Sequence, residues 1–190
     1  MLAADFNGKL VLERFEDNSF LPRFYEDPDK YAFPLEMSFL ADRYQQLKNE
    51  TSDRDLFTSF TIADYFINKS LIFAKNNLKR DEYGLYSRLF NIINSTLPKP
   101  ELIVFLYNSI DNLLKNIETR GRHYETGITN SYLSAIQQGY FDYFRQLKQL
   151  RILIIDTQSI DFVKHKKDYE KVVSVVDKPY NPGIHRITFL

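Results

Sequence analysis

The chain has no cysteine and no tryptophan. Without thiols it forms no disulfide and no thiolate metal site, which fits a reducing cytoplasm. An excess of one charge is missing too, because 25 lysines and arginines balance 25 aspartates and glutamates. Nothing therefore points to a nucleic-acid partner or an anionic membrane surface. No apolar run reaches the length of a membrane span. The opening Met1-Leu2-Ala3-Ala4-Asp5-Phe6 lacks the basic and long apolar regions of a secretory leader. There is no repeat, no low-complexity stretch, no nucleophile elbow and no dinucleotide fingerprint. His123, His165 and His185 show no metal-ligand spacing and read as surface residues.

What the chain does have is aromatic residues, 13 tyrosines and 16 phenylalanines. Most read as core; several fall where a flat base can stack. At 190 residues one domain is expected over 1–190, with 176–190 as a C-terminal tail. Four short apolar runs read as buried strands: Lys9–Glu13, Thr58–Asp64, Leu102–Tyr107 and Arg151–Asp156. Helical patterns separate them at Pro34–Lys48, Tyr65–Leu78, Glu82–Ser95, Ile110–Thr119, Thr129–Leu150 and Val163–Val176. Strands alternating with helices imply an α/β fold with a parallel sheet covered on both faces. Pro98-Lys99-Pro100 stops a helix and starts a strand.

The segment Thr119-Arg120-Gly121-Arg122-His123-Tyr124-Glu125 carries the strongest chemical signal. Arginines one glycine apart can fold over a phosphate chain and make bidentate, charge-assisted hydrogen bonds. The competing reading is a solvated helix end, since cations favour helix C-termini. Glu13 and Asp64 end predicted strands, where open α/β sheets bind ligands. A carboxylate such as Glu13 there can accept the proton of an attacking hydroxyl, or be a surface residue at a loop start. Asp64 can equally be a helix N-cap.

Pro100-Glu101-Leu102-Ile103-Val104-Phe105-Leu106, Leu113-Leu114-Lys115-Asn116-Ile117, Arg120-Gly121-Arg122 and Glu125-Thr126-Gly127-Ile128 together resemble the deoxynucleoside kinase family, of the bacterial purine type. The resemblance runs from about Leu10 to about Val176. It implies a P-loop kinase-like three-layer fold, ATP and Mg²⁺, and transfer of the γ-phosphate to the 5′-hydroxyl of deoxyguanosine or deoxyadenosine. The family's G-x-x-x-x-G-K-[ST] phosphate loop occurs nowhere in the chain. The first strand, that loop and most of its helix are expected upstream of Met1, leaving this chain inactive or a non-catalytic nucleoside-binding or assembly protein. Without the phosphate cradle, phosphoryl transfer loses many powers of ten.

By the same resemblance Glu13 is the general base, Arg120 and Arg122 the lid arginines, and Glu125 a lid contact to the sugar. Asn116 stands where many members have a third arginine, and Arg14 where most have proline. Asp64 takes the Mg²⁺ role; the arginine that commonly follows is replaced by Tyr65. Tyr25 is placed at the sugar 3′-hydroxyl, and Glu36 and Phe39 at the base. Glutamine is usual at position 36. A carboxylate only accepts hydrogen bonds, so it suits the N1–H and 2-amino donors of guanine, and adenine only when protonated. Ile160, Asp161 and Phe162 resemble the loop beside the ATP adenine, or are simply a strand-to-helix turn. The resemblance further implies a homodimer through Leu71, Phe73, Leu85, Leu89, Phe90 and Ile93. The family's first strand lies between Thr58–Asp64 and Leu102–Tyr107, so a gap is expected there and the tail is expected to be loose.

Overall fold

The computed structural model describes residues 1–15, 18–52 and 58–189. They form an α/β protein that divides into two compact units, Met1–Lys99 and Pro100–Leu190.

In the first unit, β1 (Lys9–Val11) runs parallel to β2 (Thr61–Ala63), with Lys9 opposite Thr61 and Val11 opposite Ala63. Both strands are shorter than the apolar runs suggested. Beyond them the Asp64 N–H still reaches the Val11 carbonyl, but the Glu13 N–H turns to the Asp64 side chain instead of a backbone carbonyl. A short helix α1 (Leu2–Asp5) precedes β1, and α2 (Phe20–Glu26) and α3 (Pro28–Ser52) follow it. Sequence periodicity had started α3 at Pro34, which instead lies inside it. A proline there removes one helical donor, yet packing of the helix overrides the loss. Phe24 of α2 packs on Ala32, Leu35 and Phe39 of α3. The other apolar side of α3 meets α4 (Lys69–Asn77) and α5 (Arg80–Asn94), where Leu40, Ala74, Tyr86 and Phe90 are buried. The apolar set expected at a dimer contact is divided: Phe90, Leu71 and Ile93 join this core, whereas Leu85 is 52 % exposed.

The second unit is a three-layer sandwich. Its parallel sheet has the order β3 (Leu102–Tyr107), β4 (Arg151–Asp156), β5 (Gly183–Thr188). The central β4 buries Ile152, Leu153, Ile154 and Ile155, as a parallel strand covered on both faces should. On one face Phe105 meets Tyr140, Phe141 and Phe144 of α7 (Asn130–Phe144) at centroid distances of 5.1, 5.8 and 5.4 Å. On the other, Leu153 and Ile155 pack on Val172 and Val175 of α8 (Lys166–Val176). The pattern that suggested a helix to Leu150 ends at Phe144, where Gln146 and Leu147 donate to carbonyls three residues back and tighten the chain into turns.

β2 pairs with β1 alone and β3 with β4 alone among the described residues, so Thr61–Ala63 and Leu102–Tyr107 belong to different sheets. The loose tail is corrected. Gly183–Thr188 forms β5, in register with Arg151–Asp156 on the side of β4 away from β3. Alternating Ile184, Arg186 and Thr188 with His185 and Ile187 gives it the period of a strand, and Gly183 supplies the φ of 129° that starts it. Leu190 lies outside the described residues.

Candidate functional site

Three elements of the first unit converge on Glu13. Glu36, Phe39 and Arg43 recur at spacings of three and four residues on α3 and share one side of it. The Arg43 guanidinium lies 4.7 Å above the Phe39 ring and is only 4 % exposed. Its Nε donates to Glu13 Oε1 at 2.7 Å, its Nη2 lies 2.7 Å from the same oxygen, and its Nη1 donates to Ser70 Oγ at 2.7 Å. Lys69, the first residue of α4, donates to Glu13 Oε2 at 2.6 Å. The Glu13 backbone N–H donates to Asp64 Oδ1 at 2.7 Å, and the Asp64 N–H to the Val11 carbonyl at 3.1 Å. The Asp64 carboxylate thus caps the backbone of Glu13, whose own carboxylate is left to Arg43 and Lys69. Burial pushes the Glu13 carboxyl up, but Arg43 and Lys69 outweigh it and hold it below the usual range. Burial lowers the Lys69 ammonium, against the pull of Glu13.

Glu36 is a different kind of acid. Its side chain is fully buried; Oε1 accepts from Asn77 Nδ2 at 2.7 Å, and Oε2 is the buried side-chain polar atom left without a partner among the described residues. Burial pushes this carboxyl up to about 7, in spite of Asn77, Arg43 and Lys69. Tyr25, placed at the sugar by resemblance, is half-buried on α2, edge-on to Phe24 at 5.3 Å. An open cavity of about 400 Å³ is lined by Arg14, Asn18, Ser38, Asp42, Gln46 and others, but by none of Glu13, Glu36, Arg43 and Lys69. The buried carboxylates, rather than this polar hollow, carry the unusual chemistry.

In the second unit α6 (Ile110–Arg120) starts at Ser109, whose hydroxyl accepts from the Asn112 N–H at 3.2 Å. It ends at Gly121, whose φ of 68° suits glycine. That left-handed turn brings the three candidates together. Arg120 donates to Glu125 Oε2 through Nη2 at 2.7 Å and Nε at 3.1 Å, and Arg122 to Oε1 at 3.3 Å. Glu125 is buried, whereas Arg120 is 46 % and Arg122 27 % exposed. Past β4, Ile160 and Phe162 pack against the Leu153–Val175 cluster. Asp161 Oδ1 accepts the N–H groups of Lys164 and Val163, so the segment is a built strand-to-helix turn. Those bonds, that from the Lys164 N–H foremost, lower the Asp161 carboxyl.

Spacing alone overlooked Lys69 and Asn77. One signal existed: a lysine at the first position of a helix opposes the macrodipole and calls for a carboxylate partner. No group of three or more His, Cys, Asp and Glu among the described residues is placed to hold a metal ion.

A sequence model of the family described as "Deoxynucleoside kinase" matches residues 1–180, across both units. The chain belongs to the deoxynucleoside kinase family. Members of this family phosphorylate deoxynucleosides. The chain is 37 % identical over 181 residues to the deoxyguanosine kinase of Bacillus subtilis, covering 93 % of this chain and 87 % of that one. It is 31 % identical to the deoxyguanosine kinase of Lactobacillus acidophilus, covering 94 % and 82 %. A solved deoxyadenosine kinase from M. mycoides, with dCMP and dCDP bound, superposes with a TM-score of 0.78 at 21 % identity, covering 93 % of this chain and 89 % of that one. The same enzyme has also been solved with dATP bound. At that identity the superposition speaks for the fold, while the sequence matches carry the family. No helix among the described residues is long and apolar enough to cross a membrane.

Proposed function

We propose that this chain binds a purine deoxynucleoside, deoxyguanosine ahead of deoxyadenosine, and transfers the γ-phosphate of ATP to its 5′-hydroxyl in the cytoplasm. The observation that carries the substrate reading is Glu36, a buried acceptor with one oxygen unfilled, on the same side of α3 as the arginine that grips Glu13. An unpaired buried acceptor costs about 1–3 kcal/mol, and a ligand donor removes that cost. Guanine N1–H is such a donor, with Phe39 beside it and Tyr25 at the sugar 3′-hydroxyl. Relatives named deoxyguanosine kinase support the choice.

Glu13 orients the 5′-hydroxyl and receives its proton. Its lowered pKa makes it a weak base. That suits a loose phosphoryl transition state, in which the nucleophile gives up its proton late. Arg120 and Arg122 neutralise charge on the transferring phosphoryl group, Glu125 holds them until substrate arrives and then contacts the sugar, and Ile160, Asp161 and Phe162 border the ATP adenine. Asp64 would hold Mg²⁺, which would supply charge neutralisation at the donor phosphates. Asp64, exposed and with Oδ1 committed to the Glu13 N–H, fits an ion held by one carboxylate, waters and phosphates rather than a protein cage. A homodimer is part of this reading, with Leu85 and Ile92, 52 % and 68 % exposed on α5, as the contact.

The absence of G-x-x-x-x-G-K-[ST] from the 190 residues favours a second reading, nucleoside binding without transfer. One pair of measurements separates them. Calorimetric binding of deoxyguanosine together with ATP-dependent formation of dGMP supports transfer. Binding with no dGMP formed supports the second reading, and absence of binding by any purine deoxynucleoside refutes both.

A further inference from the structure

Proton transfer from the 5′-hydroxyl is assigned to Glu13, which leaves the Glu36 proton without a role. Asn77 donates to Oε1 alone, so a change of protonation falls on Oε2, the oxygen that has no partner. An ionised Oε2 accepts; a protonated Oε2 donates. The two purines differ at the atom such an oxygen reads, because guanine N1 carries a hydrogen and adenine N1 carries a lone pair.

We propose that purine binding at Glu36 is coupled to the carboxyl proton, with Asn77 as the positioning residue: guanine is taken by the carboxylate, adenine by the carboxylic acid. The inference rests on the reading that the first unit takes a purine deoxynucleoside. With guanine, the Oε2–H bond breaks, its proton passes to solvent and N1–H donates to the oxygen left behind. With adenine, the proton stays on Oε2 and is donated to N1. The free site is poised for either outcome because opposing groups face it. Burial and the Glu13 carboxylate favour the acid; Asn77 and Lys69 of α4 and Arg43 of α3 favour the ion, and the Tyr86 hydroxyl of α5 reaches the Glu36 carbonyl at 3.4 Å. The balance leaves the group titrating at about 7.

The experiment is titration calorimetry of the 190-residue protein with deoxyguanosine and with deoxyadenosine, from pH 5.5 to 9, in pairs of buffers differing in heat of protonation. Deoxyguanosine should release about half a proton per site at pH 7 and none at pH 9, and deoxyadenosine should take up protons above pH 7. The affinity ratio of deoxyguanosine to deoxyadenosine should rise about tenfold per pH unit. Glu36→Gln, equal in size and unable to titrate, should abolish both proton exchange and the pH dependence. Asn77→Leu should move the midpoint up by roughly one pH unit, because the ion loses its donor. Asn77→Asp should also raise it through like charge, which covers the case of a leucine variant that fails to fold. Deoxyguanosine binding at pH 7 with no proton released overturns the coupling, and an unmoved midpoint in the Asn77 variants overturns the role of Asn77. If neither nucleoside binds the folded protein, the purine reading itself fails, a result distinct from binding without proton exchange.

Discussion

Each unit of this protein contains one glutamate gripped by two cations, and the two grips are built differently. In the first, Glu13 is held by Arg43 and Lys69, which are 30 and 56 residues away in sequence. In the second, Glu125 is held by Arg120 and Arg122, five and three residues away. Arg43 is 4 % exposed, Arg120 is 46 % exposed. The first grip is sealed by the fold, since Arg43 also binds Ser70 and lies over Phe39. The second is a local turn whose arginines are 46 % and 27 % exposed, within reach of water. A sealed carboxylate suits orienting a hydroxyl; solvent-reachable arginines suit meeting a charge that develops only during transfer.

The largest expected effect tests the open grip. In a version of the protein that carries a G-x-x-x-x-G-K-[ST] phosphate loop, Arg122→Ala should lower the rate of dGMP formation by roughly two to four powers of ten, the scale for a lost phosphoryl-stabilising group. Deoxyguanosine binding without ATP should hardly change. A variant with unaltered turnover would remove Arg122 from the reaction and leave its turn as packing.

Stability should reverse the ranking of the two units. Glu13→Ala strands a buried guanidinium and should cost about 3–5 kcal/mol in urea unfolding. Glu125→Ala leaves cations that water can reach and should cost about 1 kcal/mol or less. Equal losses at the two sites would erase the distinction between a sealed and an open grip.

Glu36 adds a pH signature to the first unit. Its carboxyl is raised from 4.5 to about 7 in the folded state. Between those values the folded protein binds more protons than the unfolded chain, so stability falls as pH rises. The contribution is fully present below 4.5 and lost above 7, by up to about 3 kcal/mol. Glu13, lowered in the fold, acts in the opposite sense: its contribution is present at neutral pH and lost in acid. Glu36→Gln should therefore flatten the decline between 4.5 and 7 without touching the acid limb. Unfolding free energies that keep their slope in this variant would place the titration elsewhere.

The same contrast decides what was legible in the sequence. The strands Leu102–Tyr107 and Arg151–Asp156 were bounded to the residue, because continuous apolar runs between turn signals have one reading. Arg120, Arg122 and Glu125 were legible as a chemical cluster from their spacing, but their pairing with one another was not read. The Glu13 grip was half hidden. Glu13 drew notice, but nothing local joins it to Arg43 or to Lys69, which arrives through the pairing of β1 with β2 and the start of α4. The tail was misjudged because strand propensity in six residues is weak until β4 offers an edge. Asn77, exposed to no pattern at all, becomes informative only beside a carboxyl oxygen.

The smallest expected effect is the sharpest test of why the grips differ. Arg120→Ala removes the shorter contact to Glu125 at 2.7 Å, but Arg122 remains 3.3 Å from the other oxygen. With the arginine nearly half exposed, the loss should stay below about 1 kcal/mol. Salt should shrink it further, since at 1 M ionic strength the screening length is about 3 Å. Arg43→Ala, by contrast, should keep most of its cost in 1 M salt, because ions cannot enter around a guanidinium 4 % exposed. Urea unfolding of both variants at low and high salt gives four numbers. A salt-insensitive Arg120 loss would mean that the second grip is as sealed as the first, and that its arginines are structural anchors rather than groups waiting for phosphate.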